Sequence, residues 1–198
     1  MYLYGASGHA KVIIDSLKAL GVSISGLFDD NPEVKRLLDY PVFGTFDKER
    51  LKGEKLIISV GLNNIRKKIV EKLPADIPYA TAIHPSVIIS TYATIGKGTV
   101  VMQGAIVQSC VSIGNHCIIN TAASVDHDCR IDDFVHISPN ATLCGSVSVG
   151  EGSQVGAGAV VIPGIEVGKW SLVAAGAVVM KDVPDNVLVL GNPARVIK

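Results

Sequence analysis

Residues 122–145 read AASVDH, DCRIDD, FVHISP, NATLCG, four hexapeptides with Val125, Ile131, Ile137 and Leu143 at the fourth place of each. The same phase runs without insertion from Ser86 to Lys181, sixteen units in all, and every fourth place from Ile89 to Val179 is Ile, Val or Leu. Second places are small or modest, as in Ala93, Ala105, Cys117, Cys129, Ala141 and Ser153. A fixed period this short is the signature of a parallel β-solenoid. Alternation along a strand turns places two and four inward. Places five and six carry Gly96, Asn120, Asp126 and Gly150 and are expected to form the corners. Three short strands then close one triangular coil of eighteen residues. Residues eighteen apart stack at a strand spacing of about 4.8 Å.

Residues 1–80 have another texture. They hold 22 of the 36 charged side chains, whereas residues 81–198 hold all four cysteines. The chain is therefore read as two domains, a small α/β (Rossmann-like) unit over 1–80 and the β-helix with a C-terminal cap over 81–198. Met1–Tyr4 reads as a short buried strand. It leads through the glycine turn of GASGHAKVIIDSLKALG into an amphipathic helix ending near Gly21. Strand, Gly-rich loop and helix in that order place backbone N–H groups where a phosphate can sit. The loop is GxxGH, short of the full GxGxxG fingerprint, and a turn with no ligand has the same pattern. SISGLF brings Asp29 and Asp30 about twenty residues behind the loop, the place from which an acidic side chain reaches a ribose. LIISVG, residues 56–61, is a third buried strand that ends at Gly61 on the same edge. NNIRKKIVEKL is a helix capped by Asn63 or Asn64, with Arg66, Lys67 and Lys68 expected on a solvated face, a phosphate clamp being the alternative.

Acidic and basic residues number 18 each, which leaves no electrostatic footprint for nucleic acid or an anionic membrane. No apolar run approaches the ~18 residues of a membrane span. Met1–Tyr4 leads straight into a glycine turn, so no signal peptide and a cytoplasmic location are expected. Cys117 and Cys129 take inward places, Cys110 and Cys144 do not, and with no CxxC pair all four are expected to be reduced.

Third places point outward in three columns. Thr94, Ser112, Arg130, Ser148 and Glu166 form a polar one. The others carry Ile106, Val160 and Val178, and Val100, Ile118 and Leu172. Aliphatic side chains on two faces of a prism predict burial against other copies, and a ring of three prisms provides it, hence a homotrimer. Cover by the chain's own N-terminal domain is the competing explanation for part of this surface. Past Lys181 the period stops, and the remaining segment is expected to cap the last coil.

Three of the five histidines lie between positions 116 and 136. His127, in SVDHDC, sits at a corner between Asp126 and Asp128. An imidazole titrating near neutrality can take a proton from an attacking group, and an adjacent carboxylate fixes its tautomer. The stacking rule puts Gly145 one coil away, where a bare N–H could receive an oxyanion. The plainer reading is an exposed corner histidine with no task. His136 lies at an outward third place on a packing face, hence near a subunit boundary. His116 has no comparable partner and is read as structural. A three-histidine metal site is not expected, because spacings of eleven and nine do not resemble those of the hexapeptide-fold carbonic anhydrases. A further corner column, Thr121, Pro139, Ala157 and Ala175, narrows toward its C-terminal end. It leaves room for a thin ligand such as pantetheine, although alanine suits a tight corner in any case.

GASGHAKV, the Asp29–Asp30 pair, SVGLNNIRKKI, the hexads with NTAASVDHDC, FVHIS and CGSVSVG, and the closing GNPAR together resemble a known family. It is that of the bacterial sugar O- and N-acetyltransferases of the sialic-acid and bacillosamine type, and the resemblance covers essentially the whole chain. It implies a left-handed parallel β-helix, against the usual right-handed crossover. The implied donor is acetyl-CoA, and the acceptor in the bacillosamine branch is the amine of a nucleotide-linked 4-amino sugar. His127 would be the general base, oriented by Asp128 where the family often has Glu, with the Gly145 N–H binding the oxyanion. His136 would meet the acetyl group or its thioester, Ala157 and Ala175 the coenzyme A through the main chain, and Asn120 the sugar. Ser7, Gly8, His9, Asp29, Asp30 and Gly61 match the nucleotide-sugar pocket. Direct transfer with no acetyl-enzyme and no metal, in sites between the subunits of a trimer, completes the expectation. An O-acetyltransferase acting on sialic acid or another sugar hydroxyl would use the same residues. A non-catalytic hexapeptide scaffold or nucleotide-sugar sensor would not need the pairing of His127 with Gly145.

Overall fold

The computed structural model describes residues 1–197. Its C-terminal part is a three-sided parallel β-solenoid in which places three and four of each hexad form two-residue strands. Ile106 pairs with Ser124 and His136 with Gln154, each eighteen residues on. One face runs from Ile88–Ile89 to Val178–Val179, a second from Thr94–Ile95 to Glu166–Val167. A third runs from Ala82–Ile83 through Val100–Val101 to Leu172–Val173 and Leu188–Leu190. Places two and four, including Ala105, Cys117, Val125, Cys129, Ile137 and Leu143, are buried in one core between the three walls. Small second places let three converging walls touch at interior packing density.

The corners turn one residue later than the sequence suggested. They lie at places six and one, and every first place from Gly98 to Gly176 has positive φ, among them His116 (φ 53), Asp128 (φ 60) and Phe134 (φ 60). A side chain in that region costs roughly 1–2 kcal/mol. Non-glycine residues tolerate it here because ladder and core leave the turn no alternative. The glycines at place five answer a different demand. A Cβ on Gly156 would lie 2.6 Å from the Ala175 nitrogen and the Val173 oxygen, backbone atoms of the next coil.

Ahead of the solenoid, Tyr2–Tyr4 lies between Gly26–Phe28 and Leu56–Ile58 in a parallel sheet. Helix α1 (Gly8–Ala19) packs on it through Ala10, Ile13, Ile14 and Leu17. The same cluster includes Val100, Met102 and Ile118 of the third face. The chain's own N-terminal part therefore covers two of the third-face aliphatics assigned to intersubunit packing. The first face stays open, with Ile88 67% exposed and Ile106, Val160 and Val178 partly so.

After the short helix α2 (Lys48–Leu51), α3 (Asn63–Lys72) departs from expectation in two ways. Its N-cap is Leu62, and Asn63 instead donates to Gly152 O and Ser153 O of the solenoid at 3.0 and 3.1 Å. Arg66, expected in solvent, is 1% exposed, while Lys67 is partly buried and Lys68 exposed. Beyond Lys181, Leu188–Leu190 adds in parallel to Leu172–Val173, and Arg195–Val196 returns antiparallel along that sheet edge. Among the described residues no helix is long and apolar enough to cross a membrane.

Candidate active site

His127 stands on the corner between the first and second faces, in the turn joining Ser124–Val125 to Arg130–Ile131. Its Nδ1 lies 2.8 Å from Asp128 Oδ2, and Asp126 Oδ1 accepts the His127 backbone N–H at 2.8 Å. A carboxylate acceptor puts the ring proton on Nδ1 and leaves the Nε2 lone pair free. The Asp128 hydrogen bond, followed by the Asp126 charge, raises the imidazole above its ordinary pKa. Asp128 thus reaches the imidazole despite its short side chain. The ring is 58% exposed, and Gly145 lies directly against it. A Cβ on Gly145 would come within 2.6 Å of His127 Cε1 and 2.7 Å of Nε2. The Gly145 N–H has no acceptor among the described residues. His127 and Gly145, with Asp126, border an open cleft of about 460 Å³, walled also by Cys144, Ser146 and Pro163.

His136 belongs to different surroundings. It sits on the third face, with Nε2 2.9 Å from Asn120 Nδ2. Its Nδ1 is buried and has no partner among the described residues, and the same holds for Nε2 of His9. A Cβ on Gly61 would lie 3.9 Å from His9 Cγ. Burial first, then the Arg66 charge, lowers His9 to about 4; the same two causes, with His9 added, lower His136 to about 3. Both rings are neutral at any ordinary pH. The structure thus joins His9, Gly61, Asn120 and His136, and separately His127, Asp128 and Gly145. Ala157 and Ala175 are exposed on the corner between the third and first faces, in register through the bond from Gly176 N to Ala157 O. His116 is buried between the rings of Tyr79 and Phe134.

The remaining residues gather where the parallel strands end. Gly5 needs its φ of 110°, and a Cβ there would strike Val60 Cγ2 at 2.7 Å. Gly8, at the N-terminus of α1, has nothing within 4 Å of its Cβ position, and the exposed Ser7 makes no capping bond. The fold therefore leaves open space over that helix end. Asp29 braces the loop, accepting from Ala6 N at 2.6 Å and Asn31 N at 2.9 Å. Asp30 accepts from Tyr4 Oη at 2.7 Å beside a cavity of about 410 Å³ lined also by Phe46, Lys48 and Lys72. Sequence reasoning missed Phe46 and Lys72 because nothing in their local pattern connects them to the distant strand ends. It misplaced Arg66 because its flanking lysines give that turn of helix a solvated look. The i, i+3 pairing of Asn63 with Arg66 was the available signal.

The first 73 residues match the PglD N-terminal domain, and residues 146–181 match the bacterial transferase hexapeptide (six repeats). A Bacillus subtilis UDP-N-acetylbacillosamine N-acetyltransferase is 44% identical over 104 residues, 49% of this chain and 48% of that protein. The chain spans about half the length, or less, of the curated relatives it matches. Solved structures align over nearly all of it. PerB from Caulobacter crescentus, in complex with CoA and GDP-perosamine, is 39% identical with a TM-score of 0.93, over 100% of this chain and 96% of that one. The acetyltransferase domain of PglB from Neisseria gonorrhoeae, in complex with acetyl coenzyme A, is 38% identical with a TM-score of 0.90, over 99% and 98%. Both halves of the architecture and the full-length likeness lead to one conclusion: the chain belongs to the hexapeptide-repeat family of bacterial sugar acetyltransferases.

Proposed function

We propose that this protein transfers the acetyl group of acetyl-CoA to the amine of a nucleotide-linked amino sugar in the cytoplasm. The observation that carries this reading is the His127 imidazole seated on Gly145, with Asp128 on its other nitrogen. The amine nitrogen attacks the thioester carbonyl while His127 Nε2 takes its proton, and the Gly145 N–H receives the developing oxyanion. The C–S bond then breaks, and the leaving thiolate takes the proton from the imidazolium. Residues 1–80 hold the nucleotide end: the open N-terminus of α1 at Ser7 and Gly8 takes the diphosphate, and the Tyr4, Asp30 and Phe46 cavity takes base and ribose. Residues 81–198 carry the transfer, with pantetheine along Ala157 and Ala175. Full-length likeness to an enzyme in complex with CoA and GDP-perosamine supports an amine acceptor over a hydroxyl. The test is release of CoA thiol against UDP-, dTDP- and GDP-linked amino sugars and free sialic acid. Turnover on one of the amino sugars is expected; turnover on sialic acid alone would move the assignment to the O-acetyltransferases.

The site is completed by a second copy in a homotrimer built on the open first face. Within one chain His127 stands on the corner between the first and second faces and His136 on the third, so the acceptor held near His9 and His136 of one protomer meets His127 of the next. Mixed trimers test this. His127→Ala and His136→Ala chains, each nearly inactive, are expected to regain activity when unfolded and refolded together. At equal mixing about one quarter of the interfaces then join two intact halves. No recovery above the separate variants would mean that each site lies within one chain.

A further inference from the structure

α3 carries a buried cation that has no anion. The Arg66 guanidinium spends every bond on a neutral oxygen. Nε donates to His116 O at 2.7 Å, Nη1 to Val60 O and Gly61 O at 3.0 and 3.1 Å, and Nη2 to Asn63 Oδ1 at 2.7 Å and Phe134 O at 2.9 Å. Among the described residues it has no salt-bridge partner, and burial lowers it only to about 10, so it is charged at neutral pH. An unpaired buried charge is costly, and an apolar side chain of similar size would hold two surfaces together at less expense. The guanidinium fork offers what an apolar side chain lacks, five donors in one rigid plane.

Those donors connect the two halves of the acceptor's route. Val60 and Gly61 lie in the loop after strand Leu56–Ile58, Val60 against Gly5 and Gly61 against His9. Phe134 is two residues ahead of His136 on the solenoid, and His116 lies one coil before Phe134. We propose that Arg66 is a positioning residue, fixing the Gly61–His9 loop that holds the nucleotide end of the acceptor at a set distance from the His136–Asn120 pair that meets its sugar. The inference rests on the function proposed above. The geometry has an electrostatic counterpart. Arg66 adds to burial in keeping His9 and His136 neutral, and only a backbone hydrogen bond at Gly61 acts the other way, on His136.

Full-length Arg66→Lys keeps the charge and loses the fork, Arg66→Met loses both, and Asn63→Ala removes one of the fork's acceptors. Lys67→Met, on the same helix, removes the partly exposed ion pairs to Glu151 and Glu71 and the cation over the Trp170 and Phe134 rings, leaves all five Arg66 hydrogen bonds in place, and serves as control. With the amino sugar that wild type acetylates, kcat is expected to fall about tenfold or more in both Arg66 variants and less in Asn63→Ala. The Kd of the matching nucleoside diphosphate, by calorimetry, stays within about threefold, because neither the α1 N-terminus nor the Tyr4, Asp30 and Phe46 cavity shares a hydrogen bond with Arg66. Imidazole nitrogen NMR of Arg66→Met is expected to show His9 and His136 protonating at higher pH than in wild type. Wild-type kcat with unaltered imidazole titration in folded Arg66→Met would overturn the proposal. So would parallel losses of kcat and nucleotide affinity that follow the unfolded fraction measured by circular dichroism. If neither Arg66 variant folds, Asn63→Ala decides on the same kcat-against-Kd criterion. A wild type that acetylates none of the nucleotide amino sugars would remove the functional reading instead, and the imidazole titration would then decide on Arg66.

Discussion

His127→Ala is expected to lower kcat/KM for the amino-sugar acceptor by about 10²- to 10⁴-fold, the range of a positioned general base. The melting temperature should not move, because the ring is 58% exposed and contributes nothing to the core. The pH dependence carries a sign that separates this role from a merely exposed imidazole. Nε2 accepts a proton only when the ring is neutral, and the Asp128 bond raises the pKa, so the acid limb of kcat/KM lies above the ordinary histidine value. Removing the carboxylate charge in Asp128→Asn should shift that limb to lower pH. It should also lower the plateau, since the base is weaker and its tautomer no longer locked. A flat profile from pH 5 to 8 in wild type, or an alanine variant of near wild-type rate, would remove His127 from the chemistry.

The pairing of His127 with Gly145 was legible in the sequence because a solenoid converts spacing into contact. Once the hexads fix eighteen residues per coil, residue 127 must lie over residue 145, and the structure places them in contact. The same arithmetic sorted the outward columns but could not say what covered them. Val100 and Ile118 look like Ile106 and Val160 in sequence, yet α1 lies on the first pair, while the second pair stays partly exposed among the described residues. Corner placement failed for a related reason. Glycine at place five was read as turn chemistry, whereas it reflects close approach of the next coil, and the left-handed residue is the one at place one. Arg66 shows the limit most plainly. Its five acceptors come from three separate stretches of chain, two of them beyond residue 115, so no local pattern around α3 could reveal that it is buried.

Gly145→Ala and Gly156→Ala are expected to fail in opposite ways. Neither glycine has positive φ, so an alanine at either meets no backbone strain, and the difference lies in what its Cβ strikes. At Gly156 it strikes the Ala175 nitrogen and the Val173 oxygen, which can yield only if two coils part. A loss of ~1–3 kcal/mol in denaturant unfolding is expected there, the usual cost of overpacking. At Gly145 the Cβ strikes the edge of an exposed imidazole, which can swing away freely. Stability should therefore be unchanged or higher by up to ~1 kcal/mol, since alanine narrows the unfolded ensemble. Activity should fall about 10²-fold or more, because the methyl displaces the base and covers the oxyanion donor. The double variant His127→Ala, Gly145→Ala then separates these two effects. With the imidazole gone there is nothing to displace, so any further loss beyond His127→Ala measures obstruction of the Gly145 N–H alone. Equal rates for the double variant and His127→Ala would assign the whole glycine effect to the position of the base, leaving the oxyanion to be held by another donor.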